Sequence, residues 1–387
     1  MRYKLYIPGP CEVDEEVLAA MAQPTPRHYG PDWLEIYHEV IGMLKQVFGT
    51  QNDLFMVPAA GSALLDMAFG SLLAGGETVV VGMNGFFGER LGAIAESHGL
   101  RVVPFQAPLG QPLDPEALRR ILREHPEARA VAVVHHETAT TVMNPVRELA
   151  RVTGDAGLPF ILDAVSSLGG VPLPVDEWGI DVCVTVANKC LECPPGLAFI
   201  SVSPRAWEWV NRNENTRHGW YLNLRTWRWY AENWGAWHPT PVTMPTNNVL
   251  GLRVSLRRIV TEGLEAHFER YRRASQAVRR GLVAVGFEMF IPDGPSASPI
   301  ATAVKARSEF SVNELMAYLA REHGILISGG LEPLAGKIFR VGHMGKAATR
   351  PFLMEFLFAV EEFLRGKGIA VPAGASIVGL TGGISAL

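Results

Sequence analysis

The feature that most restricts the fold of this chain is a succession of short, unbroken apolar runs separated by stretches of helical periodicity. Thr78-Val79-Val80-Val81, Ala130-Val131-Ala132-Val133-Val134, Phe160-Ile161-Leu162 and Val182-Cys183-Val184-Thr185-Val186 lack the polar alternation of a strand with one wet face. A strand built from any of them is therefore buried on both sides. Between and before them the spacing predicts helices over 34–48, 64–73, 87–98, 115–124 and 146–154, with a further strand over 100–103. Strands buried on both faces and alternating with helices require a mostly parallel sheet covered by helices on each side. The expected fold class is α/β, with a large doubly wound sheet.

Beyond about residue 250 the pattern changes. Helices are expected over 249–264 and 268–285, short strands over 300–304 and 325–328 around a helix at 312–322, and a closing helix over 350–364. These make a smaller α+β unit, followed by a Gly/Ala-rich tail from 366 that is either docked or frayed. The expected division is a large α/β domain over 21–250 and a small domain formed by 1–20 with 251–387.

A net charge of -4 and a pI near 6.3 give no basic face for nucleic acid. No run reaches the roughly 18 apolar residues of a membrane span, and the start of the chain lacks a secretory pattern. A cytoplasmic enzyme acting on small molecules is the expectation. The ending Ser385-Ala386-Leu387 lacks the basic middle residue of a peroxisomal address. Of the four cysteines, only Cys190 and Cys193 have a metal-like spacing, without a second ligand pair, so structural thiols are expected and no metal. Trp220, Trp227, Trp229, Trp234 and Trp237, with Arg217, Arg225 and Arg228, look at first like an aromatic nucleic-acid platform. The acidic chain favours a dimer-facing or active-site-rim helix instead.

Chemistry belongs at the carboxyl ends of the strands of such a sheet. There stand His135-His136-Glu137-Thr138 after one run, Asp163-Ala164-Val165-Ser166-Ser167 at the end of another, and Asn188-Lys189 after a third. The histidine pair lacks a third ligand at metal spacing except Glu137, and reads as a hydrogen-bonded strand end and a loop position. Asp163 alone could be a helix N-cap. Lys189 lies between two apolar runs, where an ammonium is costly unless neutral, paired or covalently used. One acid and one lysine on a single rim are what pyridoxal chemistry requires: an amine to hold the aldehyde and a carboxylate to keep the pyridine nitrogen protonated. The turn Pro58-Ala59-Ala60-Gly61-Ser62 opens a helix and offers N–H donors and a hydroxyl to a phosphate, and Phe87 offers a flat partner to the ring.

Nearly the whole chain resembles the class V aminotransferases of pyridoxal phosphate fold type I, in particular the alanine/serine–glyoxylate branch. The similar stretches include Ile7-Pro8-Gly9-Pro10, Asn84-Gly85-Phe86-Phe87-Gly88, His136-Glu137-Thr138, Asp163-Ala164-Val165-Ser166-Ser167, Asn188-Lys189 and Phe339-Arg340-Val341-Gly342-His343. The resemblance implies that pyridoxal 5'-phosphate is carried covalently on Lys189, which also moves the substrate proton, and that Asp163 pairs with the ring nitrogen. Val165 and Phe87 would sandwich the ring. Ala60, Gly61, Ser62 and Asn188 would line the phosphate pocket, Thr138 would contact the cofactor, and Thr243 would reach in from the other subunit of a homodimer with shared sites. Arg340 would clamp the substrate carboxylate with its planar guanidinium. The substrates implied are a small amino acid and a small 2-oxo acid in a ping-pong cycle.

Asn188 stands where the family usually has Gln, and Thr240 where it has a tyrosine. Asn188-Lys189-Cys190-Leu191, the doubled His135-His136 and Ser298-Pro299 resemble pyridoxamine–pyruvate aminotransferase, which takes free pyridoxamine without a bound phosphate cofactor. The acidic residue and the extra arginine of that relative are absent from 58–62 and 328–332. Lyases and desulfurases share the scaffold and the lysine, but Cys190 and Cys193 adjoin the lysine and do not sit on a distant loop.

Overall fold

The computed structural model describes residues 3–213 and 218–380; Arg217 and the Ser385-Ala386-Leu387 ending lie outside the described residues. Its main sheet has seven strands in the spatial order Asp53–Val57, Ala198–Val202, Val182–Val186, Phe160–Asp163, Ala128–Val134, Thr78–Met83 and Arg101–Gln106. All neighbours run parallel except the two that flank Ala198–Val202. The strand Asp53–Val57 was not expected. Its core, Leu54-Phe55-Met56, is apolar but not β-branched, and so short a run does not distinguish strand from helix.

The period of two sorts the strand side chains between two cores. Val131, Val133, Leu162 and Cys183 face one side, packed with Trp33, Tyr37, Val40 and Leu44 of helix Pro31–Phe48. Ala130, Ala132, Ile161 and Val184 face the other, packed with Leu64, Phe69 and Leu91 of helices Gly61–Leu72 and Phe86–Ser97. Burial on both faces is thus realised residue by residue, as the unbroken runs require.

The C-terminal part has its own three-stranded antiparallel sheet, Ala301–Lys305, Ile338–Gly342 and Ser328–Gly329, and its own core. The strand expected over 325–328 is two strands with different partners. Ile325–Leu326 pairs in parallel with Lys4–Leu5, whereas Ser328–Gly329 pairs with Ile338–Gly342. The long helices run Thr246–Glu262 and Leu264–Ala284, parted at Gly263, whose φ of 87° lies in the region that favours glycine. Helix Pro204–Arg212 has no counterpart among the expected elements, whereas helix Leu224–Asn233 lies within the tryptophan-rich segment expected to be helical.

The tail is docked through residue 380. Buried Glu361 accepts hydrogen bonds from Gly374 N (2.8 Å), Ser376 N (3.1 Å) and Ser376 Oγ (2.8 Å), and Gly281 has no room for a Cβ against the Ser376 carbonyl. Among the described residues no helix is long and apolar enough to cross a membrane.

Candidate active site

Asp163 closes strand Phe160–Asp163, which lies beside Val182–Val186 with Asp163 opposite Val184. Asp163 is buried, and its Oδ1 accepts the Val165 N–H at 2.9 Å. Burial pushes its carboxyl up to about 6, while that N–H and the positive charges of Lys189 and Arg90 pull the other way. Lys189 lies in the connection between the antiparallel strands Val182–Val186 and Ala198–Val202. Burial pulls the pKa of its amine down, and Nζ donates to the Pro8 carbonyl. An amine so placed is nearer to its neutral, nucleophilic form. The N-terminal segment lies directly over it: Cys11 N donates to Asn188 O at 3.1 Å, and a Cβ on Gly9 would fall 2.5 Å from Lys189 Cδ and Cε.

Helix Gly61–Leu72 begins beside this lysine. Its N-cap, Ala60, is extended and has no side chain able to cap the first turn. The amide groups of such an end attract an anion. A Cβ on Gly61 would lie 2.5 Å from Val165 Cγ2 and 3.1 Å from Val186 Cγ1, so only glycine brings the helix end this close to the sheet. Ala60, Gly61, Val165, Asn188 and Lys189 line one cavity of about 520 Å³, joined by Pro195, Gly196 and Pro245. Ser62 is exposed on the first helical turn and is not among the lining residues.

On the other side, Phe87 is partly buried on the first turn of helix Phe86–Ser97, with the Arg90 guanidinium 5.0 Å from its ring centre. Thr138 is buried, and its Oγ1 shares a hydrogen bond of 2.7 Å with Ser166 Oγ. Arg340, in strand Ile338–Gly342, donates from Nη1 to Thr138 O and from Nε to Gly329 O, each at 3.0 Å. Burial pulls its pKa down, and the nearby carboxylate of Glu137 opposes that. Thr243 is exposed in the loop that precedes helix Thr246–Glu262 and does not line the cavity of its own chain.

Two residues absent from the expected set belong to this surround. Gly9 leaves room for the lysine, and the signal was the Pro-Gly-Pro run in which it stands. Glu137 joins the Phe87 and Thr138 segments; its signal was an acid directly after a buried strand. His136 forms a two-residue strand with Glu137 and is not in a loop. Its two ring nitrogens, and His135 Nδ1, have no hydrogen-bond partner among the described residues. The four cysteines are buried and unpaired with one another. Trp227 is buried, while Trp220, Trp229, Trp234 and Trp237 are exposed. Arg225 donates to the Val210 and Asn213 carbonyls, and Arg228 lies over the Trp207 ring, so both cations are engaged within the chain.

The profile of the family "Aminotransferase class-V" matches residues 27–346. An uncharacterized aminotransferase of Methanocaldococcus jannaschii is 37% identical over 367 residues, covering 95% of this chain and 94% of its own. The solved structure of ureidoglycine-glyoxylate aminotransferase from Bacillus subtilis superposes with a TM-score of 0.91 at 29% identity, covering 98% of this chain and 97% of its own. Pyridoxamine-pyruvate aminotransferase from Mesorhizobium loti gives 0.89 at 27% identity, with 98% and 96% covered. The family match spans both Asp163 and Lys189, and the chain belongs to the class-V aminotransferase family of fold type I.

Proposed function

We propose that this transaminase binds pyridoxal 5'-phosphate and moves an amino group from a small amino acid of the alanine or serine type to a small 2-oxo acid such as glyoxylate or pyruvate, in a ping-pong cycle. The observation that carries this reading is the meeting of a half-buried amine, a buried carboxylate and an uncapped helix end at one rim of the sheet. The residues fit the cofactor. Gly61 lets the helix end close onto Val165 and Val186, where a Cβ would clash, and the amide groups of that uncapped end suit a phosphate dianion.

When bound, the cofactor supplies an aldehyde and an electron-withdrawing ring on which amino groups are exchanged. The chain does the rest. Lys189 Nζ holds the cofactor and carries the proton to and from the substrate carbon. Asp163 keeps a charge on the ring nitrogen, a role that its Val165 N–H bond favours by stabilising the carboxylate. Val165 and Phe87 bracket the ring, and Ala60, Gly61, Ser62 and Asn188 receive the phosphate. Thr138 contacts the cofactor, while Arg340, fixed by two carbonyls, meets the substrate carboxylate.

Thr243 serves the site of a second copy in a homodimer, and its exposure outside its own cavity supports that assignment. The working division is a large domain over 21–250 and a small one from 1–20 with 251–387, in a cytoplasmic enzyme.

Pyridoxamine–pyruvate transfer is the second reading, favoured by Asn188-Lys189-Cys190-Leu191 and by the likeness to that enzyme. A lyase activity on the same scaffold stands behind both. The deciding experiment pairs equilibrium dialysis of the cofactor-free protein against pyridoxal phosphate and pyridoxal with assays of alanine, serine and free pyridoxamine against glyoxylate and pyruvate. Tighter retention of the phosphorylated form supports the proposal, because each charge-assisted hydrogen bond is worth roughly 1.5–3 kcal/mol. Turnover of free pyridoxamine without added cofactor transfers the case to the second reading.

A further inference from the structure

Glu137 is fully buried, and its two carboxylate oxygens collect three backbone N–H groups. Oε2 accepts from Phe87 N and Gly88 N, each at 3.0 Å, and Oε1 accepts from Ala139 N at 2.9 Å. The first two belong to the opening turn of helix Phe86–Ser97, where a negative charge also meets the positive end of the helix dipole. The third belongs to the segment that follows Thr138. One side chain therefore fastens two stretches of chain that are remote in sequence.

The chain makes space for this fastening. Gly85 has a φ of 167°, extended backbone that any residue adopts, so its conformation does not call for glycine. A Cβ there, however, would lie 2.5 Å from Glu137 Cγ and Cδ. The glycine is needed by the glutamate. Each fastened stretch leads to a group of the proposed site: Phe87 on one side, and on the other Thr138, whose carbonyl accepts Arg340 Nη1 and whose hydroxyl meets Ser166. Burial pushes the Glu137 carboxyl up to about 7, with the three N–H groups pulling the other way.

We infer that Glu137 is a positioning residue that fixes the Phe87 ring relative to the Thr138–Arg340 wall, so that the cofactor ring and the substrate carboxylate are held in one frame. The inference rests on the pyridoxal phosphate reading of the site. It differs from a plain helix cap in what it holds together. A cap stabilises one helix, whereas Glu137 joins the helix that carries the ring partner to the strand end that orients the arginine.

Glu137→Gln keeps the shape but sets an NH2 group against one of the backbone donors. Gly85→Ala keeps the carboxylate but displaces it, and serves as the second variant should the first fold poorly. Asp114→Ala is the control, since Asp114 caps helix Pro115–Glu124 through the N–H groups of Glu116 and Ala117, outside the proposed site. Three quantities are read: amide hydrogen exchange over 84–90 in cofactor-free protein, circular dichroism of the bound cofactor, and kcat separately from KM.

In both site variants, exchange over 84–90 should quicken about tenfold or more, as loss of a charge-assisted bond implies. The cofactor dichroism should fall, and kcat/KM should drop about a hundredfold, the scale of a misplacement near 1 Å. The control should change none of these. Unaltered exchange over 84–90 overturns the inference whatever the cofactor does. Faster exchange with wild-type dichroism and kinetics reduces Glu137 to a helix cap and also overturns it. If the unmutated protein fails to retain pyridoxal phosphate, the functional reading fails separately, and the exchange measurement still reports on the fastening.

Discussion

Gly9 and Lys189 occupy one another's space: the bare α-carbon of Gly9 lies where only hydrogen fits beside the lysine stem, and the Lys189 amine bonds the carbonyl of the preceding Pro8. The N-terminal segment is thereby part of the surround of the lysine. Gly9→Ala should leave the folded content unchanged but push the side chain of Lys189 aside, and the φ of 126° at Gly9 adds strain for any other residue. Turnover should fall about a hundredfold. A crystal structure of the variant with Lys189 in its wild-type position, together with wild-type rates, would refute this.

Lys189→Ala should abolish both the visible absorption of the bound cofactor and transamination. The amine is the one nucleophile placed in the cavity beside Gly61 and Val165, and no neighbouring amine replaces it among the described lining residues. Spectra and single-turnover assays check both losses in one preparation; retained turnover would remove the central assignment.

Asp163→Asn should retain the cofactor and lose turnover by about a hundredfold or more. An amide cannot keep the ring nitrogen protonated, so the electron sink is lost while the stacking and phosphate contacts survive. The comparison of cofactor affinity with kcat is decisive, and a variant running near the wild-type rate would place the acid elsewhere.

Ser62→Glu should expel the cofactor. The new carboxylate would stand on the first turn of helix Gly61–Leu72, where it competes with the phosphate for the helix end and repels it. Dialysis against pyridoxal phosphate should show weaker binding, and unaffected retention would separate Ser62 from the phosphate site.

Burial holds His135, His136 and His343 at about 3, well below the ordinary imidazole range. Because these pKa values are depressed on folding, their contribution to stability is complete above the unfolded value near 6.5 and is lost as pH falls toward 3. Asp163 and Glu137, raised to about 6 and about 7, act in the opposite sense between their unfolded values and these. The three imidazoles outweigh the two carboxyls, so thermal unfolding of the cofactor-free protein should occur at lower temperature at pH 5 than at pH 6.5. His136→Leu should reduce that slope, and an unchanged slope would show that the ring is not buried neutral.

The sheet was legible because its strands are buried on both faces, and that condition is written locally, in the unbroken runs ending at Val134, Asp163 and Val186. The rim residues Asp163 and Lys189 were legible for the same reason, since a polar residue directly after a buried strand is conspicuous. The resemblance named the class-V family from motifs that are contiguous in sequence. What the sequence could not express was pairing at a distance. Strand Asp53–Val57 is defined by its neighbour Ala198–Val202, not by its own composition. The segment 325–328 divides because Lys4–Leu5 arrives to pair with half of it. Gly9 and Glu137 matter through what the fold brings against them, a lysine stem in one case and three amide groups from two segments in the other. Local burial and turn chemistry are carried by neighbouring side chains and can be read along the chain. Steric exclusion between remote segments and the satisfaction of buried N–H groups are properties of the folded arrangement, because no stretch of sequence contains both partners.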